Sequence, residues 1–476
     1  MGLFDRLETY ASHIAVIDEQ SRPYSYDELL SDADALGRNI KRRRLTLFIT
    51  SNSYASIAGY VGLLRAGSVP LMVNSTINAD DLIDTLERFR PHLIYAPKAL
   101  AQTFGFAAAR HELGDYGLYE TGQKIDYRLH GKLALLLTTS GSTGSHSLVR
   151  LSRRNLASNT AAIMTYLGIN SFERAITTMP MSYSYGLSII NTHLAAGASI
   201  VATEASLVSP TFWTLLKDHK VTNFGGVPFI YDMLKKLRFA NMDLPYLRYI
   251  TQAGGKLSDP MIADFAAVCR SKDIDFFVMY GQTEATARMT YVPPWHLRHK
   301  LGSVGLPVPG GKISLEDEGS REINTAYVTG ELVYRGHNVS MGYAETRKDL
   351  SRGNTNRGVL RTGDLAEFDE DGYVYIVGRK KRFLKLYGHR VNLEEVEQTL
   401  KKAGIEAACA GLDDAMRVYV EGGGEPKAVR QHLLDHTTIP RKGFKVIPIK
   451  AIPRNDAGKI RYHLLGSEFG ATQSDA

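Results

Sequence analysis

The chain has 476 residues, 44% of them hydrophobic and 22% charged, a balance that is ordinary for a globular protein. That length exceeds what a single hydrophobic core organises, so we expect at least two domains. The chain carries 57 Lys and Arg against 50 Asp and Glu, a net charge of +7 that favours anionic ligands. Nucleic-acid binding has no further support, because no basic stripe is interleaved with aromatic residues.

The N-terminus and the cysteines indicate where the protein works. Residues 1–13 lack the apolar core of a signal peptide, and no apolar run approaches membrane-spanning length. Gly2 is not followed by the Ser or Thr that a myristoylation signal requires, since Arg6 stands there. Cys269 and Cys409 are too far apart to form a metal-binding pair. We therefore expect a cytoplasmic protein without membrane insertion and without disulfides.

From residue 45 to about 230, β-rich runs alternate with helical patterns. The pattern predicts strands at 45–50, 69–74, 92–97 and 133–141, and helices at 53–67, 78–89 and 153–168. Asn78 is the predicted N-cap of its helix. Such alternation is typical of α/β folds with mostly parallel sheets and helices on both faces. Ligands of such sheets bind beyond the carboxyl ends of the strands, where the loop at 140–147 is expected to lie.

Beyond residue 300 the pattern changes. Short strands with Gly and Asp turns, such as "KISLEDE" and "DGYVYIVGR", indicate a β-rich subdomain. The segment 393–404 predicts an amphipathic helix that ends at Gly404, and the rest forms a small α+β pattern. We place the domain boundary at 380/381, which gives a large domain over 1–380 and a small C-terminal domain over 381–476.

The loop after the predicted strand at 133–137 has the composition of an anion site. Its sequence "TTSGSTGSHS" offers the hydroxyls of Ser140, Ser142 and Thr143, and its glycines allow backbone N–H groups to converge on a phosphate. It is not a Walker A loop, which has four residues between its glycines and then Lys. By itself, such a loop is equally consistent with a simple turn.

Four charged residues further along the chain suit nucleotide chemistry. Glu284, in "YGQTEA" after a predicted strand, is a candidate Mg²⁺ ligand. Asp364 in "RTGD" and Arg379 in "GRKK" suit a ribose or a phosphate, and Lys459 lies on a turn near the C-terminus. Each residue alone is equally well explained as a solvated or capping residue. Their occurrence together, after the loop, favours a nucleotide site.

This ordered set resembles the adenylate-forming superfamily of acyl- and aryl-CoA synthetases, peptide synthetase adenylation domains and luciferases. The resemblance extends over nearly the whole chain. It rests on the motifs "TTSGSTG", "AGG" (253–255), "YGQTEA", "TGEL" (329–332), "RTGDL", "GRKKRFLKLYG" and "NDAGKIR".

The resemblance implies a two-step reaction with ATP and Mg²⁺ as cofactors. A small carboxylic acid attacks the α-phosphate of ATP and gives an acyl- or aryl-adenylate and pyrophosphate. The thiol of CoA, or of phosphopantetheine on an acyl or peptidyl carrier protein supplied in trans, then displaces AMP. The C-terminal domain would be a mobile lid that rotates about a hinge at Lys381.

The resemblance also implies roles for individual residues. The ATP phosphates would contact Thr139, Ser140, Gly141, Ser142, Thr143 and Gly144. Gly254, Gly255 and Tyr280 would line the adenine pocket, while Thr283 would contact phosphate and Glu284 would ligate Mg²⁺.

The remaining assignments fall in the C-terminal third. Asp364 and Arg379 would bind the ribose. Lys459 would bridge the carboxylate and the α-phosphate, where a positioned ammonium stabilises the charge that develops in the transition state. Lys385 and Gly388 would belong to the surface that the lid presents during thioester formation.

One position departs from the superfamily pattern. Where members typically continue the phosphate loop with Pro-Lys, this chain has His146 and Ser147. Loss of that cation would weaken ATP orientation by about 1–3 kcal/mol. Arg150 or Arg153 is a candidate substitute. A catalytically impaired, nucleotide-binding descendant is therefore one alternative function.

The segment "PMSYSYGLS" (180–188) bears on the acid. Amino-acid-activating members carry an aspartate for the substrate ammonium where this chain has Ser184, so an α-amino acid-activating protein is the disfavoured alternative. Tyr183 would stand against the carboxylate. Tyr185 and Ser188 would line the pocket, with hydroxyls that either bind a substrate hydroxyl or bond to backbone. We therefore expect an AMP-forming acid–thiol ligase, with aryl and acyl acids both open.

Overall fold

The computed structural model describes residues 3–106, 108–123, 126–138, 147–387, 389–422, 425–437, 439–454, 458 and 460–465. The strands, in chain order, are β1 (Ile14–Ile17), β2 (Pro23–Ser25), β3 (Leu45–Thr50), β4 (Val69–Asn74), β5 (Leu93–Pro97), β6 (His111–Leu113), β7 (Tyr116–Glu120), β8 (Leu133–Thr138), β9 (Leu148–Ser152), β10 (Arg174–Ile176), β11 (Ser199–Val201), β12 (Asn223–Gly226), β13 (Tyr249–Gln252), β14 (Asp275–Tyr280), β15 (Thr290–Val292), β16 (Leu306–Pro307), β17 (Lys312–Glu316), β18 (Glu322–Ile323), β19 (Gly330–Arg335), β20 (Tyr343–Ala344), β21 (Val359–Phe368), β22 (Val374–Arg379), β23 (Phe383–Leu386), β24 (His389–Asn392), β25 (Ala407–Leu412), β26 (Ala415–Glu421) and β27 (Phe444–Ile449).

The α-helices, in chain order, are α1 (Tyr26–Arg38), α2 (Tyr54–Arg65), α3 (Ala79–Phe89), α4 (Lys98–Thr103), α5 (Arg153–Leu167), α6 (Ser184–Ala195), α7 (Pro210–Asp218), α8 (Pro228–Lys236), α9 (Asp259–Ser271), α10 (Leu393–Lys402) and α11 (Pro426–His436). The predicted helix at 78–89 is α3, and the Asn78 side chain accepts a hydrogen bond from the Asp81 N–H as its N-cap. No helix of the described ranges has the length and apolar character that crossing a membrane requires. Cys269 and Cys409 are both buried free thiols.

The chain divides into two compact units. The first comprises the described residues within Met1–Thr139, Ser147–Ile313 and Val333–Leu360, and the second comprises those within Ser314–Leu332 and Arg361–Ala476. The domain boundary at 380/381 stays a prediction.

Two large sheets build the first unit. One has nine strands in the order β16-β15-β14-β13-β12-β10-β11-β1-β2, and the other has eight in the order β20-β9-β8-β4-β3-β5-β7-β6. The pairs from β1 through β11, β10, β12 and β13 to β14 are parallel, as are the pairs joining β5, β3, β4 and β8. Antiparallel strands occupy the edges of both sheets. The predicted α/β class with mostly parallel sheets is confirmed.

Strand β3 explains why helices cover both faces of the eight-stranded sheet. All six of its residues are buried. Phe48 packs into a core with residues of α1, α2 and α6, whereas Leu47 and Ile49 pack into a second core with residues of α3 and α4. Because successive side chains of a strand point to opposite faces, a strand that is apolar throughout requires cover on both sides.

The second unit is richer in β-structure. Its residues build most of the five-stranded sheet β18-β17-β19-β21-β22, together with the hairpin β23-β24 and the three-stranded sheet β25-β26-β27. Helices α10 and α11 pack on that three-stranded sheet through a compact apolar core that includes Val396, Leu400, Val418 and Leu433. This is the α+β pattern that the C-terminal sequence predicts.

One buried histidine makes the stability of the first unit depend on pH. His193 on α6 is 1% exposed, its Nδ1 contacts the Ile189 carbonyl at 2.9 Å, and its Nε2 lies 3.0 Å from the Asn223 amide nitrogen. Burial lowers the pKa of His193 from 6.5 to about 4. The ring is therefore neutral at pH 7, with its proton on Nδ1.

Acidification below pH 6.5 is expected to destabilise the protein through His193. As the pH falls, His193 takes up a proton near pH 6.5 in the unfolded chain but only near pH 4 in the folded chain. The free energy of unfolding therefore decreases across that window by up to about 3 kcal/mol. Urea unfolding between pH 7.5 and 4.5 should show that the free energy of unfolding depends less on pH in His193→Gln than in the wild type. His299→Gln, at an exposed histidine, is the matched control. If the free energy of unfolding changes with pH by the same amount in the wild type and in His193→Gln, the role of His193 is contradicted.

Candidate functional site

The candidate metal ligand lies at the carboxyl end of β14. Residues Thr283–Ala285 form a single 3₁₀ turn just after that strand. The Tyr343 hydroxyl donates to Glu284 Oε1 at 2.7 Å, and the Ser340 N–H donates to the Glu284 carbonyl at 2.8 Å. A carboxylate accepts about four hydrogen bonds or metal bonds. Glu284 is thus oriented and keeps acceptor capacity that fits a hard cation such as Mg²⁺.

A segment at 337–343 holds the turn in place; we call it the bracket. Asn338 Nδ2 donates to the carbonyls of Ala285 and Arg288 at 2.9 and 3.1 Å. Asn155 Nδ2, from the first turn of α5, donates to the Val339 carbonyl at 2.7 Å. Asn338 therefore satisfies carbonyls in and after the turn that would otherwise be left unpaired, and Asn155 fixes the bracket itself.

Four predicted site residues gather beyond the carboxyl ends of strands in the nine-stranded sheet. Ser184 Oγ lies 3.2 Å from Thr283 Oγ1. The hydroxyl of Tyr183, the residue before α6, approaches Gly254 so closely that a Cβ there would lie 2.7 Å from it. Gly254 also has a φ of +85°, which favours glycine. The backbone after β13 therefore lies directly against Tyr183.

The two remaining adenine-pocket candidates lie nearby in the same sheet. Gly255 follows Gly254, and Tyr280 is the last residue of β14, which pairs in parallel with β13. Gln282 Nε2 donates to the Tyr280 hydroxyl at 3.3 Å. Loops after two neighbouring parallel strands thus bring these candidates to one edge of the nine-stranded sheet.

The hydroxyls of Tyr185 and Ser188 bond to the protein itself. The Tyr185 hydroxyl donates to the Thr251 carbonyl at 2.8 Å, and Ser188 Oγ donates to the Tyr185 carbonyl at 2.7 Å. Burial raises the pKa of Tyr185 to about 12. Of the two interpretations that the sequence left open for these hydroxyls, bonding to backbone is the one in the structure.

Arg150 cannot replace the missing lysine of the phosphate loop, and that expectation is wrong. Its side chain is 0% exposed. It donates to four backbone carbonyls, those of Tyr343 at 3.0 Å, Asp349 at 3.2 Å, Arg352 at 2.6 Å and Met341 at 2.7 Å. Arg153 is exposed, and its Nη2 donates to the Leu64 carbonyl at 2.8 Å. Arg150 is a structural cation that ties β9 to the chain from the bracket to residue 352.

The two ribose candidates meet in the second unit. Asp364 on β21 pairs with Arg379 on β22 in antiparallel register, and Arg379 Nε lies 3.0 Å from Asp364 Oδ1. The Asp364 side chain is 4% exposed and that of Arg379 is 43% exposed. The pair presents a guanidinium to solvent while its carboxylate partner is nearly buried.

Several predicted residues lie outside the described residues, either entirely or in their side chains. Those wholly outside are Thr139, Ser140, Gly141, Ser142, Thr143, Gly144, Gly388 and Lys459; for Lys381 and Lys385 only the backbone is described. Their roles stay predictions. Ser147, which stands where the lysine is expected, is 8% exposed.

Sequence reasoning missed Arg288, four residues after Glu284. It is 3% exposed, and its guanidinium carbon lies 3.8 Å from the centroid of the Tyr185 ring. The only signal in the sequence is an arginine amid the small and apolar residues of "TEATARMTY". Such a residue is ordinarily interpreted as a surface arginine, since fully buried arginines are rare.

Comparison with known families identifies the chain. A family model described as "AMP-binding enzyme" matches residues 3–344. The chain belongs to the AMP-binding enzyme family. The resemblance to the adenylate-forming superfamily is thereby confirmed.

Relatives within this family are CoA ligases. The chain is 24% identical to the 2-succinylbenzoate–CoA ligase of Staphylococcus epidermidis over 98% of its own length and 97% of that protein. It is 27% identical to the oxalate–CoA ligase of Arabidopsis thaliana, over 71% of this chain and 67% of that one.

Solved structures share the fold. The o-succinylbenzoate CoA synthetase of Bacillus subtilis, in complex with its acyl-adenylate intermediate, superposes with a TM-score of 0.77 at 20% identity and 98% coverage of both chains. ATP-bound MatB of Rhodopseudomonas palustris gives a TM-score of 0.79 at 23% identity, covering 98% of this chain and 99% of that one. The AMP-binding enzyme fold thus extends over almost the full length of this chain.

Replacing Arg150 is expected to destabilise this AMP-binding enzyme strongly. Arg150→Met removes four hydrogen bonds to buried carbonyls, of which those of Met341 and Asp349 keep another donor. It should lower the free energy of unfolding by about 3 kcal/mol. Urea unfolding followed by tryptophan fluorescence reports on the first unit, since the chain's 2 tryptophans, Trp213 and Trp295, both lie there. Arg154→Met, at an exposed neighbour, is the control. Equal stability of the two variants would rule out the structural role.

Proposed function

We propose that this protein is an ATP- and Mg²⁺-dependent acid–CoA ligase of the AMP-forming type. One observation carries the proposal. In a chain of the AMP-binding family, the Glu284 carboxylate, the Thr283 hydroxyl and the Tyr183–Ser184 pair converge at the carboxyl end of β14. That edge is where α/β sheets bind their ligands. CoA is the proposed acceptor, because the relatives named above are CoA ligases.

In the first step, the acid carboxylate attacks the α-phosphorus of ATP, and pyrophosphate leaves with the electrons of the broken P–O bond. Glu284 would hold Mg²⁺, which when bound neutralises charge on the phosphate oxygens. Thr283 would donate its hydroxyl to a phosphate oxygen. Tyr183 would stand against the acid and exclude water from its carboxylate. Lys459 remains the predicted cation for the charge that develops at phosphorus.

In the second step, the CoA thiolate attacks the acyl carbon and AMP departs. Asp364 and Arg379 would hold the ribose, and the antiparallel register between β21 and β22 supports a common role for the two residues. Carboxylate and guanidinium together match the hydrogen-bonding pattern of a diol and a neighbouring phosphate. Lys385 and Gly388 keep their predicted place in thioester formation.

ATP–pyrophosphate exchange tests the first step. With Mg²⁺ and a panel of aryl, aliphatic and amino acids, we expect exchange with one class of acid. Glu284→Gln should lower kcat by about 10²–10³-fold, because it removes the charge that holds the metal. Glu87→Gln, at an exposed glutamate on α3, should leave the rate unchanged, and Lys459→Ala should abolish exchange.

ATP binding without ATP–pyrophosphate exchange for any acid would contradict the proposal. In that case the impaired descendant is the better account, and Ser147→Lys would test whether the missing loop cation is the cause. Thiol consumption then separates the acceptors. Loss of free CoA thiol during turnover supports the CoA ligase, whereas adenylate formation without CoA consumption indicates a carrier protein.

A further inference from the structure

Arg288 is a buried charged residue of the first unit. Its backbone is fixed on both sides: its carbonyl accepts from Asn159 Nδ2 at 2.9 Å and Asn338 Nδ2 at 3.1 Å, and its N–H donates to Asn159 Oδ1 at 3.3 Å. The residue is 3% exposed, and the guanidinium stacks on the ring of Tyr185. The side chain is therefore held in the interior by a rigid backbone.

The guanidinium of Arg288 has no anionic partner among the residues that the structure describes. Its Nε is buried without any hydrogen-bond acceptor, and no carboxylate of the described ranges forms a salt bridge with it. An arginine keeps its charge at every physiological pH. A buried charge is costly unless it is paired. Arg150, equally buried, shows the usual solution, with four carbonyls as acceptors.

The neighbours of Arg288 are neutral. The phenols of Tyr166 and Tyr185 lie beside the guanidinium, which partly offsets the rise that burial causes in both pKa values. Both phenols are protonated at neutral pH. His193 is neutral as well, because burial lowers its pKa to about 4. None of these three side chains therefore carries a negative charge that would compensate the guanidinium.

Arg288 also lines a small cavity. None of the described residues that line it is acidic. Its polar lining residues include Ser188, Thr192, His193, Asn223 and Thr251. One cationic group among polar and apolar neutral walls favours an anionic ligand and excludes a cationic one.

The cavity belongs to the neighbourhood of the candidate acid pocket. It includes Ser188, and its arginine stacks on Tyr185, whose ring centroid lies 6.4 Å from that of Tyr183. Ser184, between the two tyrosines in the chain, contacts Thr283. An acid whose reacting carboxylate lies beside Tyr183 would extend past Tyr185 toward Arg288.

We propose that Arg288 binds a second carboxylate of the acid substrate, so that the protein activates a compact dicarboxylic acid. This inference rests on the proposed function and names its substrate class. The planar fork of a guanidinium matches a carboxylate with two parallel hydrogen bonds, and Nε supplies a donor for one of them. A monocarboxylic acid of the same length would leave the buried charge of Arg288 unpaired. A binding site discriminates most strongly against a ligand that leaves one of its buried polar groups unpaired, so the dicarboxylic acid should be preferred.

The test compares acids that differ only in the second carboxylate. ATP–pyrophosphate exchange is measured with succinate against butyrate and with glutarate against valerate, for wild type, Arg288→Met, Arg288→Lys and Arg270→Met. Arg270 is an exposed arginine on α9 and serves as the control. The readout is the ratio of kcat/KM for the dicarboxylate to that for its partner, which is insensitive to the fraction of folded enzyme.

In the wild type and Arg270→Met we expect this ratio to exceed about 30 for one pair. It should fall to about 1 or below in Arg288→Met, and Arg288→Lys should lie between, because an ammonium keeps the charge but loses the fork. A ratio that Arg288→Met leaves unchanged, or a wild-type preference for monocarboxylates, overturns the inference. Either result leaves the ligase activity itself standing.

Thermal stabilisation by the same acids without ATP separates failure of the inference from failure of the proposed function. If no acid supports exchange but a dicarboxylate stabilises the wild type and not Arg288→Met, the ligase proposal fails while the role of Arg288 holds. If no acid supports exchange and no dicarboxylate stabilises the wild type, both proposals fail.

Discussion

The candidate site of the first unit depends on the buried guanidinium of Arg150. Its donors satisfy the carbonyls of Met341 before β20, of Tyr343 within it, and of Asp349 and Arg352 after it. Tyr343 in turn donates its hydroxyl to Glu284, and Asn338 in the same bracket supports the carbonyl of Arg288. One buried cation thus fixes the chain that positions both a candidate metal ligand and a candidate substrate ligand. Rigid support of this kind is what catalytic geometry requires.

The bonding of Arg150 bears on Ser147, which stands where superfamily members typically carry a lysine. The sequence offered Arg150 as a nearby substitute, but the structure commits that charge to backbone carbonyls. The phosphate loop therefore receives no cation from Arg150, and the predicted Lys459 becomes more important for charge stabilisation. The buried positive charge of Arg288 lies instead against Tyr185, a residue of the predicted acid pocket.

Elements with a local cause could be predicted from the sequence. The apolar run 45–50 is β3, Asn78 caps α3, and the helix predicted at 393–404 is α10 with Gly404 in a left-handed conformation after it. The roles of Arg150 and Arg288 could not be predicted, because they depend on partners far away in the chain. Arg150 bonds to carbonyls 191–202 residues distant, and the Asn159 that holds Arg288 is 129 residues from it. Local patterns contain no information about such pairs.

The central claim is that an acid carboxylate attacks the α-phosphate of ATP. The most direct measurement supplies an acid that supports turnover with both carboxylate oxygens labelled with ¹⁸O, and follows the label by mass spectrometry after thioester formation. If the account is correct, each AMP carries one ¹⁸O atom and pyrophosphate carries none, because the bridging oxygen of the adenylate departs with AMP. Unlabelled AMP, or label in inorganic phosphate, would contradict it and indicate another route of activation.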